Sequence, residues 1–357
     1  MSGSVVPGTN SAEAARFVPV DDVAGLLPDA RDDLFASLAW YRTVLDCGMA
    51  DRGAARFLLT GSAVFPMQVM DGGRSLASLT TLYSCRWHPV VSDGGAFAAF
   101  ARACRGWPLT RLDALPVDWP HRVACADAAR AAGLAVRQFD HFGNWHEDVR
   151  GQTWNDYLAD RPGQLRETIR RKLRRECRFE LIEGGVRLEA GIAAFEAVYR
   201  RSWKEPEPFP EFNASLMRAI APLGLLRLGV LSIGDVVAAA QIWVVERERA
   251  TVLKLAHDEA FKPASPGTVL TAMMLRRLLD EEQVPEIDFG RGDDGYKSAW
   301  ARQRRQRIGL MFANPLHPRG MAFLGRHALG RARAALLGSA ALGPRLRGDD
   351  ETLGPRG

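Results

Sequence analysis

The stretch Lys254–Trp300, KLAHDEAFKPASPGTVLTAMMLRRLLDEEQVPEIDFGRGDDGYKSAW, constrains the fold of this chain more than any other. An apolar strand over Ala250–Ala256 ends at the polar pair His257-Asp258, and Pro263, Pro266 and Gly267 then stop it and set a turn. From Thr268 onward Val269, Leu270, Met273, Met274 and Leu278 recur at helical spacing. Pro285 closes the connection, Glu286–Phe289 reads as a short strand, and GRGDDG cannot continue regular structure before Tyr296-Lys297. A strand–loop–helix–strand unit aims the N–H groups of the helix start toward the carboxyl ends of the strands, which suits an anionic ligand. The charges clustered at both strand ends mark this place as a candidate site.

The run KLAHDE, SPGTVLT and EIDFGRGDDGYKSAW resembles the C-terminal domain of GNAT acyltransferases of the CelD-like, cellulose-biosynthesis kind. These are relatives of the Fem-type peptidoglycan aminoacyltransferases and carry two GNAT-like domains in one chain. The likeness is dense over Leu225–Gly309 and loose elsewhere. It implies an α+β fold of two tandem GNAT-like domains, each a mixed, mostly antiparallel sheet flanked by helices. It also implies transfer of an acyl group from acetyl-CoA or another acyl-CoA to an amine or hydroxyl acceptor. That acceptor is a small molecule or a glycan or lipid precursor, and the family points to envelope polysaccharide or lipid modification.

By the same resemblance the donor lies between Ala250–Ala256 and Glu286–Phe289, with its phosphates at Ser265, Gly267, Thr268 and Val269. Tyr296 stands where the family's general acid commonly lies, and Lys297 is placed to bind an anionic group or stabilise negative charge. Asp288 would accept the amine proton or orient Lys297, an Asp288–Lys297 ion pair being the structural alternative. His257 is a second base candidate, and Asp258, Gln241, Arg291 and Trp300 are candidates for the substrate side. One departure is that the family's phosphate loop, Gln/Arg-x-x-Gly-x-Gly/Ala, is replaced by PASPGT with a single glycine. The double-domain relatives lack that motif too, and some use aminoacyl-tRNA as donor. A tRNA-dependent transferase and a catalytically inactive binding module therefore stand as alternatives.

With 357 residues, 47% of them hydrophobic and 25% charged, the chain has the size for two globular domains. Cys47, Cys85, Cys104, Cys125 and Cys177 are scattered and odd in number, as free thiols of a reducing compartment would be. Met1–Ala15 lacks the apolar run of a signal peptide, and the apolar Leu223–Val245 is broken by Gly234-Asp235, so a cytoplasmic protein is expected. Of the net charge of +5, four lie in the tail, where seven Arg from Arg319 onward face Asp349, Asp350 and Glu351. The near-neutral body is not expected to hold nucleic acid stably.

The helix over Gln164–Cys177 buries Leu165, Ile169, Leu173 and Cys177, while Arg166, Arg170, Arg171, Lys172, Arg174 and Arg175 take its other faces. It is either a solvated surface or a phosphate patch for a nucleotide-bearing donor, tRNA or an anionic acceptor. No metal is expected. His141, His146 and Glu147 lack the i, i+4 spacing of a zinc pair and fall beside a Gly143-Asn144 turn at a domain boundary. Asp288, Asp293 and Asp294 permit magnesium, but Lys297 and Arg291 neutralise them.

The expected organisation is a disordered start over residues 1–15, an N-terminal GNAT-like domain over 16–150, an acyltransferase domain over 151–318, and a basic tail over 319–357. The two units should meet near Gly151 with their sheets packed into one body. The acidic EPEPFP loop, Glu205–Pro210, either borders the acceptor site or is a plain connector. A helix near Met321–Leu337 has the amphipathic character for peripheral membrane contact.

Overall fold

Two antiparallel meanders, one in each half of the chain, set the frame. The structure, a computed structural model, describes residues 15–336 apart from Asp93 and Arg175. Expectations placed on residues 1–14, on Arg175 and on 337–357 lie outside the described residues. The first half runs β1 (Arg16–Val18), α1 (Leu38–Cys47), β2 (Ala55–Thr60), β3 (Ala63–Met70), β4 (Ser75–Ser78), α2 (Ala96–Cys104), β5 (Leu109–Pro116), α3 (Arg122–Ala131) and β6 (Ala135–Asp148). The second begins with α4 (Trp154–Ala159), α5 (Gly163–Lys172), β7 (Arg178–Ile182), α6 (Leu188–Arg200) and α7 (Phe212–Ile220). It continues through β8 (Leu226–Ile233), β9 (Val236–Glu246), β10 (Arg249–His257), α8 (Pro266–Asp280), β11 (Glu286–Asp288), β12 (Gln303–Ala313) and α9 (Pro318–Leu336). In each half a meander is followed by a helix and then a parallel strand, β5 beside β4 and β11 beside β10.

The class is the expected α+β, with each half a mixed, mostly antiparallel half-sheet flanked by helices. The halves are not separate sheets, however. The strands join in one order, β1-β2-β3-β4-β5-β12-β6-β11-β10-β9-β8-β7. β6 pairs with β11 from Asp148↔Glu286 to His146↔Asp288, and β12 crosses back to lie between β5 and β6. The sheets expected to pack into one body are joined more closely than that, by strand pairing into one continuous sheet. The reason lies in β6, which does not turn at Gly143-Asn144 but runs on through Asp148 to serve both neighbours. Gly143 is there for close approach, since a Cβ would stand 2.3 Å from an Asp293 carboxylate oxygen.

Burial on both faces explains the near-continuous apolar run of β9. Ile242 joins a core under α1, α6 and α7 that spans both halves with Trp40, Phe57, Phe195 and Phe212. Trp243 faces the other side, in the core that Tyr157, Ile169 and Leu275 build under α4, α5 and α8. A third core, with Phe65, Phe97, Phe100 and Phe312, lies under α2 and α3. Among the described residues no helix is long and apolar enough to cross a membrane.

Candidate active site

The parallel ladder between β10 and β11 holds for only two pairs, Ala250↔Ile287 and Thr251↔Asp288. Immediately beyond it β10 shifts register against β9 between Val252 and Lys254, a bulge that bends the strand away. Gly290, at φ +66°, brings its backbone so close to the Val252 carbonyl that a Cβ would sit 2.4 Å from that oxygen. The strands therefore part at a defined point, and a cavity of about 400 Å³ opens beyond it. Val252, Leu253, Lys254 and Leu255 line one side, Phe289, Arg291 and Gly292 the other, with Tyr83, Trp203 and Phe212 around the rim. The counterpart gap in the first half is filled: Trp87 bridges the Pro66 carbonyl of β3 and, through its backbone, the Ala114 carbonyl of β5, past the end of β4.

The start of α8 lies by the end of β10. Ser265 takes a left-handed conformation, Pro266 occupies the first turn, and the Val269 N–H already donates to the Ser265 carbonyl at 3.1 Å. The N–H groups of Gly267 and Thr268 have no backbone partner among the described residues. The Val269 side chain is buried in the core and its N–H is already engaged, so it offers a phosphate no free donor. Beside this helix start, Lys172 of α5 donates to the Pro263 carbonyl at 2.5 Å, bringing the basic face of α5 to the same place.

Tyr296 and Lys297 both line the cavity. Tyr296 is 44% exposed; partial burial and the Asp294 charge push its phenol up, so it is protonated at neutral pH. Lys297 is buried, and its Nζ donates to the carbonyls of Arg291 (2.6 Å) and Gly292 (3.2 Å) and pairs with Asp294 at 2.9 Å. It holds the glycine-rich loop in shape. Arg291 lies over the Phe142 ring, 4.4 Å from its centroid.

Asp288 does not meet Lys297, which corrects both readings of that pair. Its carboxylate is 1% exposed, takes Arg305 Nη2 at 2.6 Å, Asn144 Nδ2 at 2.7 Å and the Gly290 N–H at 2.7 Å, and is absent from the cavity wall. Burial raises its pKa, but Arg305, Arg307 and Arg249 outweigh that and hold it well below the usual carboxylate range. Such a group is a poor proton acceptor. The physical reason is β12, which carries Arg305 and Arg307 into the junction beside β11.

The remaining candidates separate in the same way. His257 is displaced from the cavity wall behind Trp203, with ring centroids 4.4 Å apart, and its Nε2 lies 3.3 Å from Glu259. Burial lowers its pKa, so it is neutral at pH 7. Asp258 is engaged by Arg201 at 2.6 Å and by the Ala260 N–H at 2.9 Å. Gln241 is fully buried, donating to Thr271 Oγ1 at 2.7 Å and accepting from Trp243 Nε1 at 2.8 Å, and Trp300 is a core residue whose carbonyl takes Arg161 and Tyr157. Asp258, Gln241 and Trp300 are thus each held by partners within the protein, and none of the three lines the cavity.

Nor do the metal candidates converge. His141 Nδ1 accepts from the Ala114 N–H, Glu147 takes Arg161 and the Arg302 N–H, and Asp293 pairs with Arg304. Among the described residues no three His, Cys, Asp or Glu side chains form a metal-sized group.

Residues that sequence reasoning left out complete the site. Glu207, in the EPEPFP loop, accepts from Lys254 Nζ at 2.6 Å and from Tyr83 OH at 2.9 Å, and so joins the two halves at the cavity. Burial raises its pKa, but Lys254 and the hydroxyl donors bring it below the ordinary value. Lys254 was visible as a lone cation in an apolar strand. Tyr83 had no local signal, because its partner lies 124 positions away.

Residues 163–298, less than half of the chain, match the sequence profile of the family described as Acetyltransferase (GNAT) domain. That span holds the parting strands, the start of α8 and Tyr296-Lys297. The fold is that of the GNAT superfamily. Among solved structures, FemX superposes with a TM-score of 0.57 at 10% identity, covering 84% of this chain and 96% of that one. The C-terminal domain of an Agrobacterium fabrum protein described as a lysylphosphatidylglycerol synthetase gives 0.53 at 14% identity, covering 78% and 90%. A conserved protein of unknown function from Bacteroides thetaiotaomicron VPI-5482 gives 0.53 at 10% identity, covering 84% and 99%. At these identities the likeness is one of fold. No curated protein matches the chain.

Proposed function

We propose that this protein is an acyltransferase of the CelD-like kind that moves an acyl group from acetyl-CoA or another acyl-CoA to an amine or hydroxyl acceptor. The observation that carries the reading is the parting of β10 and β11 over a cavity, with the N–H groups of Gly267 and Thr268, unpaired among the described residues, at the adjoining helix start. The strand edge past Thr251 offers backbone groups to the amides of a pantetheine arm, and the helix start offers two donors and a positive dipole to its phosphates. The thioester then lies beside Tyr296, whose protonated phenol is suited to give a proton to the leaving thiolate. The neutral acceptor amine attacks the carbonyl directly as the C–S bond breaks. The proton it releases passes to solvent water and replaces the one that Tyr296 gives, and holding the two reactants together supplies much of the acceleration. Lys297 acts through the loop, keeping Tyr296 in place.

One observation favours a second donor. The basic face of α5 meets the start of α8 through Lys172, and such a patch would also accept the phosphates of an aminoacyl-tRNA. Binding by the purified protein separates the two. Acetyl-CoA should raise the unfolding midpoint by mass action, and tRNA should not compete for the protein at physiological salt. Gly267→Asp should abolish the acetyl-CoA effect. The position tolerates a side chain, since the nearest atom to a Cβ is His257 Nδ1 at 3.4 Å, so the variant should fold. Undiminished acetyl-CoA binding by that variant would show that the phosphates sit elsewhere; tRNA binding without acetyl-CoA binding would select the second donor.

A further inference from the structure

A second cavity, also about 400 Å³, lies beneath the EPEPFP loop between α6 and α7. Phe195, Tyr199, Glu207 and Glu211 are among its walls. Lys204 and Asn213 line both this cavity and the one at the parted strands, so the two meet at those side chains. On the donor side the first cavity is lined by β10, from Val252 to Leu255, and by the loop that follows β11, from Phe289. The second reaches the same point from the side of α6 and α7, which is how a second reactant would arrive.

The polar groups at the meeting point are unevenly served. Lys254 is answered by Glu207 and Lys297 by Asp294. Lys204 has neither an ion-pair partner nor a side-chain hydrogen bond among the described residues; its Nζ lies 5.4 Å from the Trp203 ring. Asn213 is 5% exposed and lines both cavities, and its amide makes no side-chain hydrogen bond among the described residues. A half-buried ammonium without a hydrogen-bond partner is costly, and burial and Lys254 lower the Lys204 pKa although Asp294 and Glu207 offset part of that. The compensation that fits both is an anion, which takes a charged donor from Lys204 and amide donors from Asn213.

We propose that Lys204 and Asn213 form the acceptor's anchoring site, receiving a carboxylate or phosphate group of an amine-bearing acceptor that comes through the α6/α7 cavity. The word acceptor rests on the acyl-transfer reading; the anion site itself does not, and its test needs no donor. Paired probes are titrated against the full chain by thermal unfolding: β-alanine against propylamine, and O-phosphoethanolamine against ethanolamine. The acidic member of at least one pair should raise the midpoint while its neutral partner does not, and the pair that responds tells carboxylate from phosphate.

Lys204→Met should weaken that binding by about tenfold or more, the loss expected for a charged hydrogen-bond donor, and Lys204→Arg should retain most of it. Asn213→Ala should weaken it too without lowering the midpoint of the free protein, since no hydrogen bond is lost. Gly267→Asp separates this site from the phosphate loop and should leave probe binding intact. Equal response to acidic and neutral probes, no response to any, persistence in Lys204→Met, or loss in Gly267→Asp would each overturn the proposal. Acetyl-CoA protection is measured alongside. If it fails while the acidic probe still depends on Lys204, the donor reading falls and the anion site stands.

Discussion

Tyr296 and Asp288 are eight residues apart in sequence and stand in opposite relations to the cavity. Tyr296 is in contact with it and protonated, so Tyr296→Phe removes one proton donor and little else. Turnover should fall by up to about 10²–10⁴-fold, the range for general acid catalysis, with acetyl-CoA affinity nearly unchanged. Steady-state kinetics alongside donor titration would check this, and unchanged turnover would remove Tyr296 from the chemistry. Asp288 is sealed among Arg249, Arg305 and Arg307. Asp288→Asn should cost stability, about 3–5 kcal/mol for a broken buried charge network, measured by urea unfolding at pH 7. Its folded pKa is depressed, so its contribution is present above the unfolded value near 3.9 and is lost as pH falls from there toward the folded value. The stability gap between wild type and Asp288→Asn should therefore be full at pH 7 and shrink below about pH 4. A gap independent of pH would mean that the carboxylate charge is not what the arginines hold.

At the scale of elements, the donor half of the site was legible because it is local. Strand, proline-rich turn, helix and glycine loop follow one another within Lys254–Trp300, and each announces itself by periodicity or by residues that break it. What crosses between elements was not legible. Asp288 and Lys297 are close in sequence, yet each found its partner elsewhere, Asp288 on β12 and Lys297 on its own loop. The amphipathic α7 carries its pattern in Phe212, Leu216, Met217 and Ile220, but it starts straight after the irregular EPEPFP loop at Glu211 with no side-chain cap, so no sequence signal marks its beginning. The parting of β10 and β11 depends on backbone geometry that one glycine makes possible. Gly290→Ala would force a side chain into φ +66° and against the Val252 carbonyl. It should cost about 1–3 kcal/mol and weaken acetyl-CoA binding by reshaping the cleft. Calorimetric titration at a temperature where the variant is folded reads the second effect apart from the first, and full affinity would show that the cleft does not depend on this close approach.

The whole molecule is held across its middle. β12 supplies Ile308, Leu310 and Phe312 to the core under α2 and α3, so the first half borrows its central strand from the end of the second. Arg86 of the first half is buried between Asp33 of the same half, at 2.8 Å, and Glu246 of the second, at 2.6 Å, and Glu246 also accepts the Leu34 N–H. Neither half closes its sheet alone. Without β12, the facing edges of β5 and β6 would each lose a full ladder of hydrogen bonds and expose an apolar face. Domains that fold by themselves would unfold in two steps, whereas this arrangement predicts one. Urea unfolding followed by far-ultraviolet circular dichroism and by tryptophan fluorescence should give coincident curves. A chain ended at Arg302 should lose tertiary structure in the first half as well as its own strand, and a fragment of residues 1–150 should not fold. Two separated transitions, or a folded 1–150 fragment, would show that the shared sheet is an association of independent domains and not the unit that folds.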